Sequence, residues 1–146
     1  MKVHPDFYGF ILSLKKNNVD YVIVGAFALA LYGHPRATGD IDIWIRPSAE
    51  NAARLMKALR NFGFAPADIT AGDILSGKVI QIGDPPVSID ILTRLTGLTD
   101  DEIWDGRVEA PFGDLTACYI GRESFLKNKR SLGRNRDLAD IDALTS

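Results

Sequence analysis

A chain of 146 residues with 46% hydrophobic and 25% charged residues has the make-up of one globular domain with a substantial core, and excludes a disordered or fibrous polymer. The formal net charge of −2 excludes attraction to nucleic acid by the molecule as a whole, so any such attraction must come from a local basic patch. The single cysteine, Cys118, rules out an intrachain disulfide and a thiolate metal cluster, and its apolar-leaning setting between Leu115 and Ile120 marks it as a packed core thiol.

In chain order, Phe7, Phe10, Ile11 and Leu14 recur at helical spacing, which predicts an amphipathic helix over about residues 5–17, ended by Asn17 and Asn18. The β-branched run Tyr21 to Val24 reads as a strand, Gly25 as a tight turn, and residues 26–32 as a short helix stopped by Gly33. The longest N-terminal apolar run, Tyr21 to Tyr32, falls short of the roughly 20 residues a membrane helix needs. Lys15, Lys16, Asn17, Asn18 and Asp20 interrupt any leader-like segment, so the expected address is the cytoplasm, with no membrane partner. A second strand is expected over Ile41 to Arg46. Ser48 is then an N-cap for a helix that buries Ala52, Leu55, Leu59 and Phe62 and closes at Gly63.

Lys78 to Ile82 and Val87 to Leu92 flank Gly83-Asp84-Pro85-Pro86, the chemistry of a hairpin loop, so these strands should be antiparallel neighbours. Asp100 to Asp105 is a short helical piece and Leu115 to Ile120 a further strand. Helices over about Arg122 to Lys129 and Asn135 to Leu144 follow. This order predicts an α/β or α+β fold with a small mixed β-sheet flanked by helices, as a single domain over 1–146 with its core in 20–92 and a helical tail in 122–144.

Side chains two apart on a strand share a face, so Asp40 and Asp42 point together while Ile41, Ile43 and Ile45 point the other way. Asp90 interrupts the apolar run Val87 to Leu92, and a lone buried carboxylate costs several kcal/mol unless something neutralises it. If the three converge, a hard divalent cation is the simplest neutraliser, because magnesium takes oxygen ligands and is usually held by one or two carboxylates plus phosphates. Two such ions can clamp the attacking and leaving oxygens of a phosphoryl transfer. Gly25 lets the backbone approach a phosphate where a helix N-terminus offers free N–H groups. Plainer readings stand beside these: a structural glycine turn, an acid pair in a solvated strand-end turn or capping a helix, and an Asp90 neutralised by an arginine.

The order of apolar strand, Gly25-Ala26, helix, Asp40-Ile41-Asp42 and a distant Asp90 resembles the nucleotidyltransferase superfamily typified by DNA polymerase beta. The intervening Tyr32-Gly33-His34-Pro35-Arg36-Ala37-Thr38-Gly39-Asp40 is similar to the small prokaryotic branch that includes the AbiEii-type toxins. The resemblance implies transfer of a nucleoside monophosphate from an NTP to a hydroxyl, with Mg2+ or Mn2+ on Asp40, Asp42 and Asp90. The third acid also helps to activate the hydroxyl, and the glycine turn holds the triphosphate. Acceptors in keeping with it are a tRNA, a protein or a small molecule, and it implies a toxin–antitoxin or defence role with an antitoxin partner. One departure is the turn itself: Gly25-Ala26 keeps the backbone N–H but lacks the hydroxyl of the commoner Gly-Ser. That keeps open an inactive member of the fold that binds a nucleotide or a partner protein. A metal-dependent phosphoesterase is a more distant alternative.

The tail segment Lys127 to Arg136 carries five cations and no acid, which reads as a phosphate-binding patch or as a solvated interhelix turn with Asn135 as N-cap. The resemblance places Lys129 and Arg134 near the triphosphate, Asp137 as the partner that orients them, and Asp140 in the same segment. Arg36 suits a bidentate phosphate clamp, and Thr38 stands with it on the nucleotide side. His34 reads as an exposed turn residue.

Overall fold

The computed structural model describes residues 3–36, 38–63, 69–84 and 86–146. In chain order the elements are α1 (Pro5–Lys16), β1 (Tyr21–Val24), α2 (Gly25–Leu31), β2 (Asp40–Ile45), α3 (Ala49–Phe62), α4 (Ala71–Leu75), β3 (Ile80–Ile82) and β4 (Ser88–Leu92). There follow α5 (Asp100–Asp105), β5 (Val108–Phe112), β6 (Leu115–Tyr119), α6 (Arg122–Leu132) and α7 (Asn135–Thr145). The strands form one mixed sheet in the order β3-β4-β2-β1-β6-β5. β2 runs parallel to β4 and β1 parallel to β6, while the β1–β2, β3–β4 and β5–β6 pairs are antiparallel.

Alternation along the strands divides the core in two. Ile23, Ile41, Ile43, Ile45, Ile89 and Ile91 face Phe7, Phe10, Ile11 and Leu14 of α1 and Ala52, Leu55, Ala58 and Leu59 of α3. On the opposite face Val22, Val24 and Trp44 pack with Ala28 and Leu29 of α2, Ile103 of α5 and Phe125 of α6. Asp40 and Asp42 share this second face with Trp44.

Local chemistry sets most boundaries. The Ser48 side chain accepts from the Asn51 N–H to start α3, and Gly63 ends it in the left-handed region at φ 97°. Phe62, expected in the buried face, is half-buried and meets Phe10 edge-on with ring centroids 5.4 Å apart. The hairpin of β3 and β4 forms as its turn residues predict, although Pro85 in that loop lies outside the described residues. α7 takes Arg134, not Asn135, as its N-cap, because the Asp137 carboxylate reaches back to the Arg134 N–H. Two elements depart from the sequence reading, α4 and the edge strand β5. Among the described residues no helix is long and apolar enough to cross a membrane.

Candidate functional site

The parallel pairing of β2 with β4 sets Asp40 opposite Ser88 and Asp42 opposite Asp90, four polar positions on one face of the sheet. Asp42 and Asp90 are half-buried and share a hydrogen bond. Burial first, then the charge of Asp90, the shared hydrogen bond and Asp40 push the Asp42 carboxyl up to about 6, with Lys129 pulling the other way. Two carboxylates set side by side in this way favour a cation between them. Asp40 is drawn aside: the buried Ser88 hydroxyl donates to its Oδ1 at 2.5 Å. Accordingly, among the described residues no three His, Cys, Asp or Glu side chains gather to hold a metal ion by themselves. The expected convergence of three acids is met by two of them.

Gly25 opens α2 at φ 66°, and a Cβ there would lie 2.2 Å from Asp42 Oδ2. Only a residue without a side chain lets the turn approach this carboxylate so closely. Ala26 follows within α2, half-buried. Gly25 and Asp42 line an open cleft of ≈ 210 Å³, whose other walls carry Leu92, Arg94, Asn128, Lys129 and Arg134. A larger cleft of ≈ 340 Å³ lies at the start of β1, the other end of that strand, lined by Lys15, Asp20, Tyr21, Glu109 and Cys118. Cys118 is half-buried, packed against the core where it borders this cleft, and burial raises its thiol pKa.

Three cations of the basic tail, Lys127, Lys129 and Arg134, are compensated in space. Lys129 Nζ lies 3.4 Å from Asp137 Oδ1 and 3.3 Å from Asp140 Oδ2, and Arg134 Nε donates to Asp137 Oδ2 at 2.6 Å. Lys127 pairs with Glu102 of α5 at 2.5 Å. Arg36 is also committed, to Asp140 Oδ1 at 2.5 Å. Arg36, Lys129 and Arg134 therefore form one network through two buried acids, with Lys129 brought to the cleft wall facing Asp42. Thr38 caps the entry to β2 by accepting from the Asp40 N–H at 3.1 Å. Its neighbour Ala37 lies outside the described residues, and His34 is exposed.

Sequence reasoning passed over Ser88, Gln81 and Asn128. Gln81 pairs in register with Asp90 and donates to its Oδ1 at 3.2 Å. Asn128 donates to the Thr96 carbonyl at 2.9 Å, tying α6 to the loop after β4. Ser88 lies two residues before Asp90, so the alternation that revealed the acids also points to it. Gln81 needs the hairpin register.

Asp137 yields a pH prediction. Hydrogen bonds from the Arg134 side chain, joined by its backbone N–H and by Lys129, hold this carboxyl down at about 2 against an ordinary 3.8. A carboxyl depressed in the folded state stabilises fully above its unfolded value and loses that contribution as pH falls through the folded one. Thermal melts of the native protein should therefore lose stability more steeply than those of Asp137→Asn between pH 3.8 and about 2. Parallel curves would mean that the ion pair contributes nothing.

No family model matches the sequence, and no curated protein matches it. Solved structures do. A presumed nucleotidyltransferase from Thermotoga maritima superposes with a TM-score of 0.62 at 16% identity, over 97% of this chain and 94% of its own. The lincosamide antibiotic adenylyltransferase LnuA, solved with lincomycin bound, superposes with a TM-score of 0.54 at 16% identity, over 99% and 97%. At such identities the likeness establishes a shared fold and nothing finer.

Proposed function

We propose that residues 1–146 act as one metal-dependent nucleotidyltransferase domain that moves a nucleoside monophosphate from an NTP to a hydroxyl and works in the cytoplasm. The observation that carries this reading is the in-register pair Asp42 and Asp90, of which Asp42 lines a cleft edged by the Gly25 turn, in a fold shared with an adenylyltransferase. The donor set suits a hard divalent cation. It is all oxygen, it strains against its own like charge, and the two carboxylates match the number magnesium usually takes before phosphates and waters complete its shell. Asp42 and Asp90 would hold Mg2+ or Mn2+, with Asp40 joining once it releases Ser88. Bound there, the cation supplies charge neutralisation to the phosphates and the leaving pyrophosphate.

The chain's own residues do the rest. Gly25 and Ala26 keep the backbone low beside the phosphates, and Lys129 and Arg134, oriented by Asp137, lie along the triphosphate. Arg36 braces the network through Asp140, Thr38 sets the entry to β2, and Gln81 holds one oxygen of Asp90, the third acid that helps to activate the acceptor hydroxyl. The acceptor is a hydroxyl of an RNA, a protein or a small molecule. A defence or toxin–antitoxin role with an antitoxin partner rests on the AbiEii-like segment from Tyr32 to Asp40. A second reading, an inactive member of the fold that binds nucleotide or a partner protein, is favoured by Ala26 and by the capture of Asp40 by Ser88.

Incubating the protein with each α-labelled NTP, Mg2+ or Mn2+, and acceptors that include bulk tRNA and cell-extract protein decides between them. Label carried to an acceptor is the expected result. Nucleotide binding with no transfer to any acceptor would favour the inactive reading.

A further inference from the structure

Arg94 follows β4 by two residues and lines the cleft together with Gly25, Asp42, Lys129 and Arg134. It differs from the other cations gathered around this cleft. Lys127, Lys129, Arg134 and Arg36 each face a carboxylate. Among the described residues Arg94 makes no salt bridge and no side-chain hydrogen bond. Its guanidinium instead lies over the bare backbone of Gly77, in the turn between α4 and β3. A Cβ on Gly77 would come within 3.0 Å of Arg94 Nε, 3.1 Å of Cζ and 3.2 Å of Nη2, and Gly77 sits at φ 84°. The side chain is thus seated, exposed at the cleft, and uncompensated.

An anion entering the cleft must compete with Asp137 or Asp140 for Lys129, Arg134 and Arg36, but meets no such competition at Arg94. We propose that Arg94 is a phosphate-binding residue of this cleft, its planar fork taking two oxygens of one phosphate. The proposal rests on the nucleotide reading given above and deepens it. The phosphate belongs either to the nucleotide or to the backbone of a nucleic-acid acceptor, and in both cases the recognising chemistry is the same.

Calorimetry on the full chain in Mg2+ tests this with four probes: ATP, tripolyphosphate, adenosine and a short RNA oligonucleotide with a 5′-hydroxyl. Arg94→Ala should weaken ATP and tripolyphosphate by about tenfold or more and leave adenosine unchanged. Arg94→Lys should recover only part of the loss, because an ammonium lacks the fork. A loss confined to the oligonucleotide, with its salt dependence reduced by about one unit of slope, would assign the phosphate to the acceptor. Arg94→Gln, which keeps a stem and an amide over Gly77, replaces the alanine variant should that one melt early. If ATP binds the native protein and all three variants alike, and the oligonucleotide does too, Arg94 is a strut on Gly77 and the proposal falls alone. If the native protein binds none of the phosphate probes, the nucleotide reading falls and this proposal with it.

Discussion

Asp42→Asn should abolish nucleotidyl transfer, by roughly a hundredfold to a thousandfold or more, in a protein that melts no lower than the native one. The variant removes one of two paired donors, so cation affinity drops and the phosphates lose the field that stabilises their charge during transfer. Stability moves the other way. Without a cation, Asp42 is forced up to about 6 by burial and by Asp90, and a neutral amide of the same shape feels neither the charge nor the cost of burying one. Adding Mg2+ should raise the melting temperature of the native protein by linkage and leave that of Asp42→Asn unmoved. Full activity in the variant would refute the metal reading. A melting temperature well below native would show that the Asp42–Asp90 contact stabilises the fold instead of straining it.

Gly25→Ala is the second large effect, and its partner Gly63→Ala isolates the cause. Both glycines have positive φ, 66° and 97°, so alanine at either costs about 1–2 kcal/mol of backbone strain. Beyond that they part. The Cβ at residue 63 meets nothing within 4 Å, whereas at residue 25 it falls 2.2 Å from Asp42 Oδ2. Gly63→Ala should therefore lose stability and keep its transfer rate per folded molecule, while Gly25→Ala loses both, because the carboxylate must leave the cleft. Activity measured against folded fraction by circular dichroism separates the two. Equal specific activities would show that Asp42 has room to yield without consequence.

The elements that carry the site were legible in the sequence because their signals are local. The Ile41, Ile43, Ile45 alternation with acids between them fixes which face Asp40 and Asp42 occupy, and Ser48 and Gly63 bracket α3 through capping alone. β5 was not legible. It contains Glu109 and Pro111, lies mostly exposed at the sheet edge, and owes its extended form to pairing with β6. α4 is a single turn with one buried residue, Ile74, too short for a period to register. The tail shows the limit for charge: Lys127 looks uncompensated along the chain, yet Glu102 reaches it across 25 positions, and Asp140, which pairs with Lys129, also binds Arg36 across 104. Arg94 was missed for the converse reason, since being unpaired is a property of the whole neighbourhood.

The pairing of β2 with β4 also bears on how the chain acquires its chemistry. Asp40 and Ser88 are 48 positions apart, as are Asp42 and Asp90, and the two strands run parallel with α3, α4 and β3 between them. Non-local parallel pairing carries its loop-closure entropy before any contact repays it, so it is the slow kind of step in folding. During synthesis α1 through α3 can gather on Ile23 and Ile43 while residue 90 has yet to emerge. A nascent chain that ends before β4 holds Asp42 without its partner, and the paired site comes into being only when β4 slots in beside β2.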